Sequence, residues 1–492
     1  MLFTSPVFLF CFLPAVLLGF HVLRLSGRNI LLVLWLLAAS MLFYAWWSPY
    51  FLLLLIASML ANYWTGYAIQ QASGRTRSRL FFIGVAGNLG VLAYFKYADF
   101  FIESLNAVAK SDLPLLHIIL PLGISFFTFQ KIAYLADIHA HHARTRRLAD
   151  FALFVFFFPQ LIAGPIVHHS EVMPQFRLLG REEAHDRQKS RALAWENSAV
   201  GLTIFLIGLV KKVVIADQIA RYVSPIYAAA AHEPAVGFVL AWQAALGYAV
   251  QLYFDFSGYS DMAIGLARMF GIRLPANFNS PYAALSIIDF WRRWHMTLSR
   301  FLRDYVYIPL GGNRHGPARR YINLMATMIL GGFWHGAGWT FILWGTLHGV
   351  YLLIAHAWES FARVRLPAPL AWGLTLLAVI LAWVIFRAPD MHSALIILAG
   401  LTGMHGLRHS IANVTEAPAV ILIALLLLAA SAILPNTQQI MRAYRPVLGT
   451  IAPAKFAMRW SPAIRFAALG GIAAVAVMLL SWETSEFLYF QF

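Results

Sequence analysis

An all-α polytopic membrane protein is the fold class this sequence predicts, and three observations carry that reading. First, 60% of the 492 residues are hydrophobic and only 12% are charged, against roughly 25% charged in soluble domains. No soluble core hides that much apolar surface. Second, the apolar residues come in long runs of Leu, Ile, Val and Phe, whereas membrane barrel strands alternate apolar and polar residues. Third, the basic residues collect in short loops between those runs, as they do in the cytoplasmic loops of helical membrane proteins.

The net charge of +16 belongs to those loops. It reads as positive-inside topology facing anionic membrane lipid, not as a nucleic-acid surface. The lone cysteine, Cys11, lies in the first apolar run. It permits neither an internal disulfide nor a zinc site.

The first apolar run, 6–22, lacks the basic leading region of a cleaved signal peptide and reads as a retained helix. Arg24 and Arg28 follow it, which places its end in the cytoplasm and the N-terminus outside. The loops with Arg75, Arg77 and Arg79, and with Arg144, Arg146 and Arg147, are then both cytoplasmic. Two apolar segments, 80–97 and 113–138, cross between them. Segment 151–166 is too short for a full span, holds Pro159 and ends in Gly164-Pro165. It reads as re-entrant, and broken backbone at membrane depth must be buried in protein or line a cavity.

Residues 177–191 read as a cytoplasmic amphipathic connector. Lys211 and Lys212 interrupt the next apolar segment and are expected to snorkel to an interface; lining a polar cavity is the alternative. A span at 236–254 precedes an arginine-rich stretch, 268–320, of loops and short helices. Apolar segments follow at 321–335, 339–357, 370–386, 392–402, 418–434 and 464–480. Some are partial, leaving roughly 10 to 12 crossings. Arg459 and Arg465 put the last span's start inside, so both termini fall outside and the number of crossings is even. The chain 1–492 reads as one membrane domain. Helices in 1–110 precede a core, 111–360, with further helices and a tail in 361–492.

Two histidines stand out. One is His335, in Gly331-Gly332-Phe333-Trp334-His335-Gly336-Ala337, and the other is His295, in Trp291-Arg292-Arg293-Trp294-His295. An ionisable side chain at membrane depth is costly and points to function. Imidazole, with an ordinary pKa of about 6.5, offers a proton-accepting form at neutral pH. The glycines beside His335 suit close helix packing, which leaves the histidine itself unexplained. The pattern suggests acyl transfer with His335 as general base. The plainer readings are a core histidine bonded to a carbonyl, and an interfacial helix anchored by Trp291 and Trp294.

Around them, Asp289 is spaced to pair with Arg292 and Arg293 on one helix face, and Ser299 is spaced to orient His295. Trp334 and His348 are expected to support the site. Asp255 and Asp261 sit among tyrosines and apolar runs and read as a structural hydrogen-bond network more than a proton relay. His139, His141 and His142 lack the carboxylate or cysteine that would complete a metal site, His168 and His169 are adjacent and do not easily share one metal, and no metal is expected. Markers of nucleotide binding and serine hydrolysis are missing from the sequence.

The chain resembles the membrane-bound O-acyltransferase family, and within it the bacterial alginate O-acetyltransferase-like subfamily. The stretches that carry the resemblance start with Phe158-Pro159-Gln160-Leu161-Ile162-Ala163-Gly164-Pro165 and Lys211-Lys212-Val213-Val214-Ile215-Ala216-Asp217. They continue with FDFSGYSDMAIGLARMFGI from Phe254, DFWRRWHMTLSRFLRDYVYIPLGGNR from Asp289 and GGFWHGAGWTFILWGTLHG from Gly331. The resemblance implies a ring of transmembrane helices, with re-entrant segments, around a thinned centre and a tunnel. It carries the catalytic histidine onto His335 and the second motif histidine onto His295. It implies acetyl-CoA as the cytoplasmic acyl donor and an acceptor outside. The location implied is the bacterial inner membrane.

Charge alone nominates Arg292, Arg293 and Arg303 for the coenzyme's phosphates. The tail Phe487-Leu488-Tyr489-Phe490-Gln491-Phe492 suits an aromatic interfacial anchor. It is also similar to the C-terminal tyrosine motif of the small partner in teichoic-acid D-alanylation. By that analogy Tyr489 relays acetyl to an extracytoplasmic acetyltransferase, with a polysaccharide as final acceptor. Peptidoglycan, alginate and cellulose remain open as the polymer. Lipid or lipoprotein acylation, teichoic-acid D-alanylation and a transporter are the competing readings.

Overall fold

The computed structural model describes residues 1–144, 147–180, 187–361, 366–408, 414–454, 456 and 458–480. All regular structure among them is helical, apart from one isolated bridge between Pro275 and Leu448. A π-helical turn at Phe8–Phe12 leads into α1 (Leu13–Arg24), followed by α2 (Asn29–Ala45) and α3 (Pro49–Gln71). Ser48 caps α3 by accepting from the Phe51 amide, and Pro49 stands where a helix needs no N–H. α4 (Gly74–Leu92), a π-helical turn at Ala93–Tyr97 and α5 (Ala98–Ala109) run on as one 36-residue apolar helix.

The next segment departs from expectation. Residues 113–123 are not helical, and α6 spans only Ile124–His139. Pro114 and Pro121 each remove a backbone donor, and His117 and Gly123 turn the chain at positive φ, 49° and 74°. The Asp99 carboxylate replaces the lost helix bonds, accepting from the Leu116 and Ile118 amides at 2.7 and 3.3 Å.

The segment expected to be re-entrant is broken and buried. α7 (Leu148–Phe156) ends at Phe157, α8 (Phe158–Leu161) is one turn, and irregular backbone continues to His168. Nine helical residues in α7 make about 14 Å, half a bilayer core. Every residue from 151 to 167 is buried. Side chains from other helices take up the freed amides: Ser40 accepts from Phe158, and Thr297 accepts from Ile166, at 3.1 and 3.0 Å.

α9 (His169–Leu178) and α10 (Arg187–Leu209) bound the predicted connector, of which 181–186 lie outside the described residues. A π-helical stretch, Val210–Ala216, joins α10 to α11 (Asp217–Ala229). The 32-residue α12 (Phe238–Met269) extends the expected 236–254 span and is buried from Gln243 to Met269 except at Phe254. Its polar residues would be costly against lipid, so the helix forms the central column of the protein. Glycines let α10 approach it. A Cβ on Gly201 would sit 2.6 Å from the Gly265 carbonyl, and one on Gly208 would sit 2.6 Å from the Gly258 carbonyl.

The two lysines do not snorkel. Lys212 is buried between Asp217 and Asp255, at 2.7 and 2.8 Å, and Lys211 reaches Asp261 at 2.6 Å. Thr437 and Gln438 complete the coordination of Asp261. Each acid thus meets a cation or a donor, which supports a structural role for the Asp255–Asp261 stretch.

Short pieces then assemble: α13 (Ile287–Trp291), α14 (Met296–Leu302) and a π-helical turn at Arg303–Tyr307. α15 (Gly316–His335), α16 (Trp339–Phe361), α17 (Ala368–Arg387), α18 (Met391–Leu401) and α19 (Pro418–Ile433) follow, then α20 (Thr437–Ile440) and α21 (Ile464–Leu480). Five described helical segments are long and apolar enough to cross a membrane: α3, α4 with α5, α10 with α11 from Arg191, α16 and α17. Five shorter apolar helices accompany them. The architecture is that of a polytopic helical membrane protein.

Candidate active site

The three buried histidines of the motifs converge. His335 is the last residue of α15, before Gly336 enters extended backbone. His295 precedes α14 in the left-handed region, φ 42° and ψ 52°, a conformation that costs a non-glycine residue about 1–2 kcal/mol. The two imidazole centroids lie 6.4 Å apart. Trp334, Trp344 and Phe386 wall His335 at 5.0, 5.1 and 5.3 Å. His348, on α16, packs 4.8 Å from Trp344, and its Nδ1 accepts from the Trp291 indole at 3.3 Å. Trp334 stacks on Phe129, and His348 ties α13 to α16.

His295 is oriented by a residue that no motif announces. Asn277, 1% exposed, lies in the loop after α12. Its Oδ1 accepts from Thr297 Oγ1 at 2.8 Å, and its Nδ2 donates to Ser260 at 3.2 Å. With the amide oriented by those bonds, the 3.1 Å contact from His295 Nδ1 is a donation to Oδ1. The tautomer follows: Nδ1 carries the proton and Nε2 keeps its lone pair. The expected bond from Ser299 to His295 does not form. The Ser299 hydroxyl instead donates to the Trp294 carbonyl at 3.4 Å, because the turn at His295 swings the imidazole away from its own helix face.

The arginines separate. Arg293 bonds Asp289 at 2.9 Å, the i, i+4 pair, and also the Asn279 carbonyl. Arg303 bonds its neighbour Asp304 at 2.7 Å and is largely exposed. Arg292 is exposed and makes no side-chain hydrogen bond or ion pair among the described residues. Arg300, which sequence reasoning passed over, grips Glu171 with two bonds of 2.6 and 2.9 Å and fastens α14 to α9. Tyr489 lies outside the described residues.

His335 opens on a cavity of about 60 Å³. Its other walls are Lys96, the loop from Leu120 to Phe126, and Ile162-Ala163 of the broken segment. A second cavity of about 230 Å³ shares Lys96 and Leu120 with the first and is bounded by Gly336, Ala337 and Phe341. Lys96 is the one charged residue in the apolar run 80–97; the rule that flags intramembrane ions would have found it. Among the described residues no three His, Cys, Asp or Glu side chains are grouped to hold a metal.

The structure brings the two motif histidines together, and His335 opens on a cavity that the broken segment also lines. The family model for the membrane-bound O-acyltransferase family matches residues 139–395, which hold α7 through α17 and all three histidines. The chain belongs to the membrane-bound O-acyltransferase family. This acyltransferase is 47% identical to the peptidoglycan O-acetyltransferase of Helicobacter pylori over 82% of the chain and 80% of that protein. It is also 47% identical to a probable alginate O-acetylase of Pseudomonas aeruginosa, over 80% of the chain and 73% of that protein. A teichoic acid D-alanyltransferase of Streptococcus thermophilus matches at 28% over 48% of the chain. Family membership sets aside the transporter reading.

Proposed function

We propose that this acyltransferase takes acetyl from acetyl-CoA on the cytoplasmic side of a bacterial inner membrane and delivers it for O-acetylation of an extracytoplasmic polysaccharide. The observation that carries the reading is His335, buried opposite His295 on a small cavity at the end of α15. The cavity on which His335 opens gives an acyl carbonyl room beside the imidazole. The relatives that match at 47% are named for acetylation of peptidoglycan and of alginate, both glycans. The teichoic acid relative matches far less of the chain, which ranks acetylation above D-alanylation.

In this reading neutral His335 accepts the proton of an acceptor hydroxyl. The oxygen attacks the thioester carbonyl and forms the new C–O bond. The C–S bond then breaks, and the imidazolium returns the proton to the leaving thiolate. His295, with Nδ1 held by Asn277, keeps the lone pair on Nε2, and its ring centroid lies 6.4 Å from that of His335. A positioned base contributes about 10² to 10⁴-fold, and positioning and oxyanion stabilisation supply the rest. Arg292, exposed and without a side-chain hydrogen bond or ion pair among the described residues, is the most available of the three arginines for a coenzyme phosphate. Tyr489 is the proposed acyl relay, with both termini outside and a separate extracytoplasmic acetyltransferase completing the transfer to polymer.

The test is incubation of the purified full-length protein with isotope-labelled acetyl-CoA and an excess of a tyrosine peptide as hydroxyl acceptor, beside His335→Ala. Free coenzyme A release that depends on His335 is the expected result. Equal release by His335→Ala would overturn the role of the histidine, and no release by either protein would overturn the donor.

A further inference from the structure

α15 ends inside the protein, with Trp334 and His335 both buried. The final four C=O groups of any helix lack partners within it, and an unsatisfied carbonyl at membrane depth costs several kcal/mol. The usual remedy, a left-handed glycine that folds the chain back onto those carbonyls, is not used. Gly336 is extended, φ −156° and ψ 153°. Two adjacent side chains from another helix do the work. Lys96 Nζ donates to the carbonyls of Trp334 and His335 at 2.7 and 2.9 Å. The Tyr97 hydroxyl donates to the carbonyl of Phe333 at 2.7 Å. Tyr97 also stacks on the Phe333 ring, with centroids 4.1 Å apart.

Three consecutive carbonyls, ending at His335 itself, are thus held from one place. That place is irregular: Ala93–Tyr97 is a π-helical turn set in the 36-residue helix. π-turns widen a helix and re-aim its side chains, and they recur at functional sites. Lys96 has no carboxylate within 4.0 Å among the described residues, so its charge is offset by carbonyl dipoles and by the Ser125 hydroxyl at 3.4 Å. A cation at a helix C-terminus is also favourable through the helix dipole. Lys96 lines both cavities and therefore stands where they meet.

We infer that Lys96 and Tyr97 form a clamp that sets the position of the His335 imidazole, with Lys96 as the principal positioning residue for acyl transfer. The inference rests on the proposed role of His335 as base. The clamp acts on the rate step and not on donor capture, because its three bonds go to the backbone that carries the base.

The test compares wild type with Lys96→Met, Lys96→Arg, Tyr97→Phe and His335→Ala, all full length and folded in detergent. One readout is coenzyme A release from acetyl-CoA with an excess of a tyrosine peptide as hydroxyl acceptor. Since a shift of about 1 Å in a reacting group costs roughly 10²-fold, Lys96→Met is expected to lower kcat by about that factor with KM little changed. Lys96→Arg keeps the donors and is expected to recover most of the loss. Tyr97→Phe, which removes one bond and leaves the charge, is expected to lose about tenfold in kcat, fewer bonds being broken. The second readout needs no turnover: the rate at which diethyl pyrocarbonate modifies His335, followed by mass spectrometry with exposed His142 as the internal reference. It is expected to change in Lys96→Met and not in Lys96→Arg. Wild-type kcat and wild-type His335 labelling in Lys96→Met and Tyr97→Phe together would overturn the clamp. A kcat loss matched by a KM rise, with labelling unchanged, would overturn it equally. Should Lys96→Met fail to fold, Tyr97→Phe carries the same decision. If His335→Ala releases coenzyme A at the wild-type rate, the proposed base is wrong, and the labelling alone judges the clamp.

Discussion

Asn277 Oδ1 lies 3.1 Å from His295 Nδ1 and decides which nitrogen of that imidazole carries the proton. The amide is itself held from two sides, by Thr297 and by Ser260 on α12. The central column thereby reaches the second histidine through two hydrogen bonds. Asn277→Ala removes the acceptor and frees the ring to turn or change tautomer. The expected loss in kcat is roughly 10²-fold, the lower range of what a positioned acid–base group supplies. Asn277→Asp keeps an acceptor for Nδ1 and should retain much more activity than the alanine variant. Steady-state release of coenzyme A checks both. An alanine variant with wild-type kcat would mean that His295 needs no such hold.

The buried ion network beneath α12 makes a prediction about stability. Lys212 sits between Asp217 and Asp255, all three less than a tenth exposed. Lys212→Met leaves two buried carboxylates facing one another. Removing one partner of a buried pair costs about 3–5 kcal/mol, because the remaining charge is uncompensated. Thermal unfolding in detergent should show a large drop in the melting midpoint. Lys212→Met combined with Asp217→Asn and Asp255→Asn should recover part of it, since no unpaired charge is left. A single variant that melts with the wild type would show that water reaches this network.

Much of this architecture was legible in the sequence because lipid imposes strong rules. The apolar runs of α1, α4, α12, α15 to α19 and α21 appeared as segments, those of α2 and α3 did not, and the broken stretch around Pro159 stood out because it was too short to cross. His295 and His335 were visible for the same reason: ions are conspicuous among apolar residues. What escaped notice depends on contacts between distant parts of the chain. Asn277 lies 18 positions from His295, in a loop whose path only the packed protein defines. Ser299 had the right helical spacing, yet the left-handed turn at His295 cancels that geometry. Residues 113–123 carried the composition of a span, but Pro114 and Pro121 turn them into cavity wall.

The aromatic tail supports a prediction of direct chemical consequence. If Tyr489 relays the acyl group, a labelled acetyl should appear on the C-terminal peptide and vanish in His335→Ala. A phenolic ester remains an activated donor because phenol, with a pKa of about 10, leaves readily. Tyr489→Phe should abolish acetylation of the polymer in cells while leaving protein abundance unchanged, read by ester content of the purified glycan. Wild-type ester content in that variant would sink the relay and leave the tail as an interfacial anchor.

Two adjacent glycines on α15 should behave differently, and the contrast isolates the geometry of the base. A Cβ on Gly332 would collide with the Phe341 carbonyl and come within 3.0 Å of Gly345 Cα, both rigid backbone of α16. A Cβ on Gly331 would meet only the Leu302 side chain, at 3.1 Å, and a leucine methyl can move. Gly332→Ala therefore forces α15 away from α16, three residues before His335. Overpacking of this kind costs typically 1–3 kcal/mol, and a displacement of about 1 Å at the base lowers the rate by roughly 10²-fold. Gly331→Ala should gain a little from helix propensity and give most of it back in moving Leu302. The expected result is a severe kcat loss for Gly332→Ala and near wild-type turnover for Gly331→Ala, at comparable protein yield. Equal turnover in the two would show that the α15–α16 crossing does not set where His335 stands.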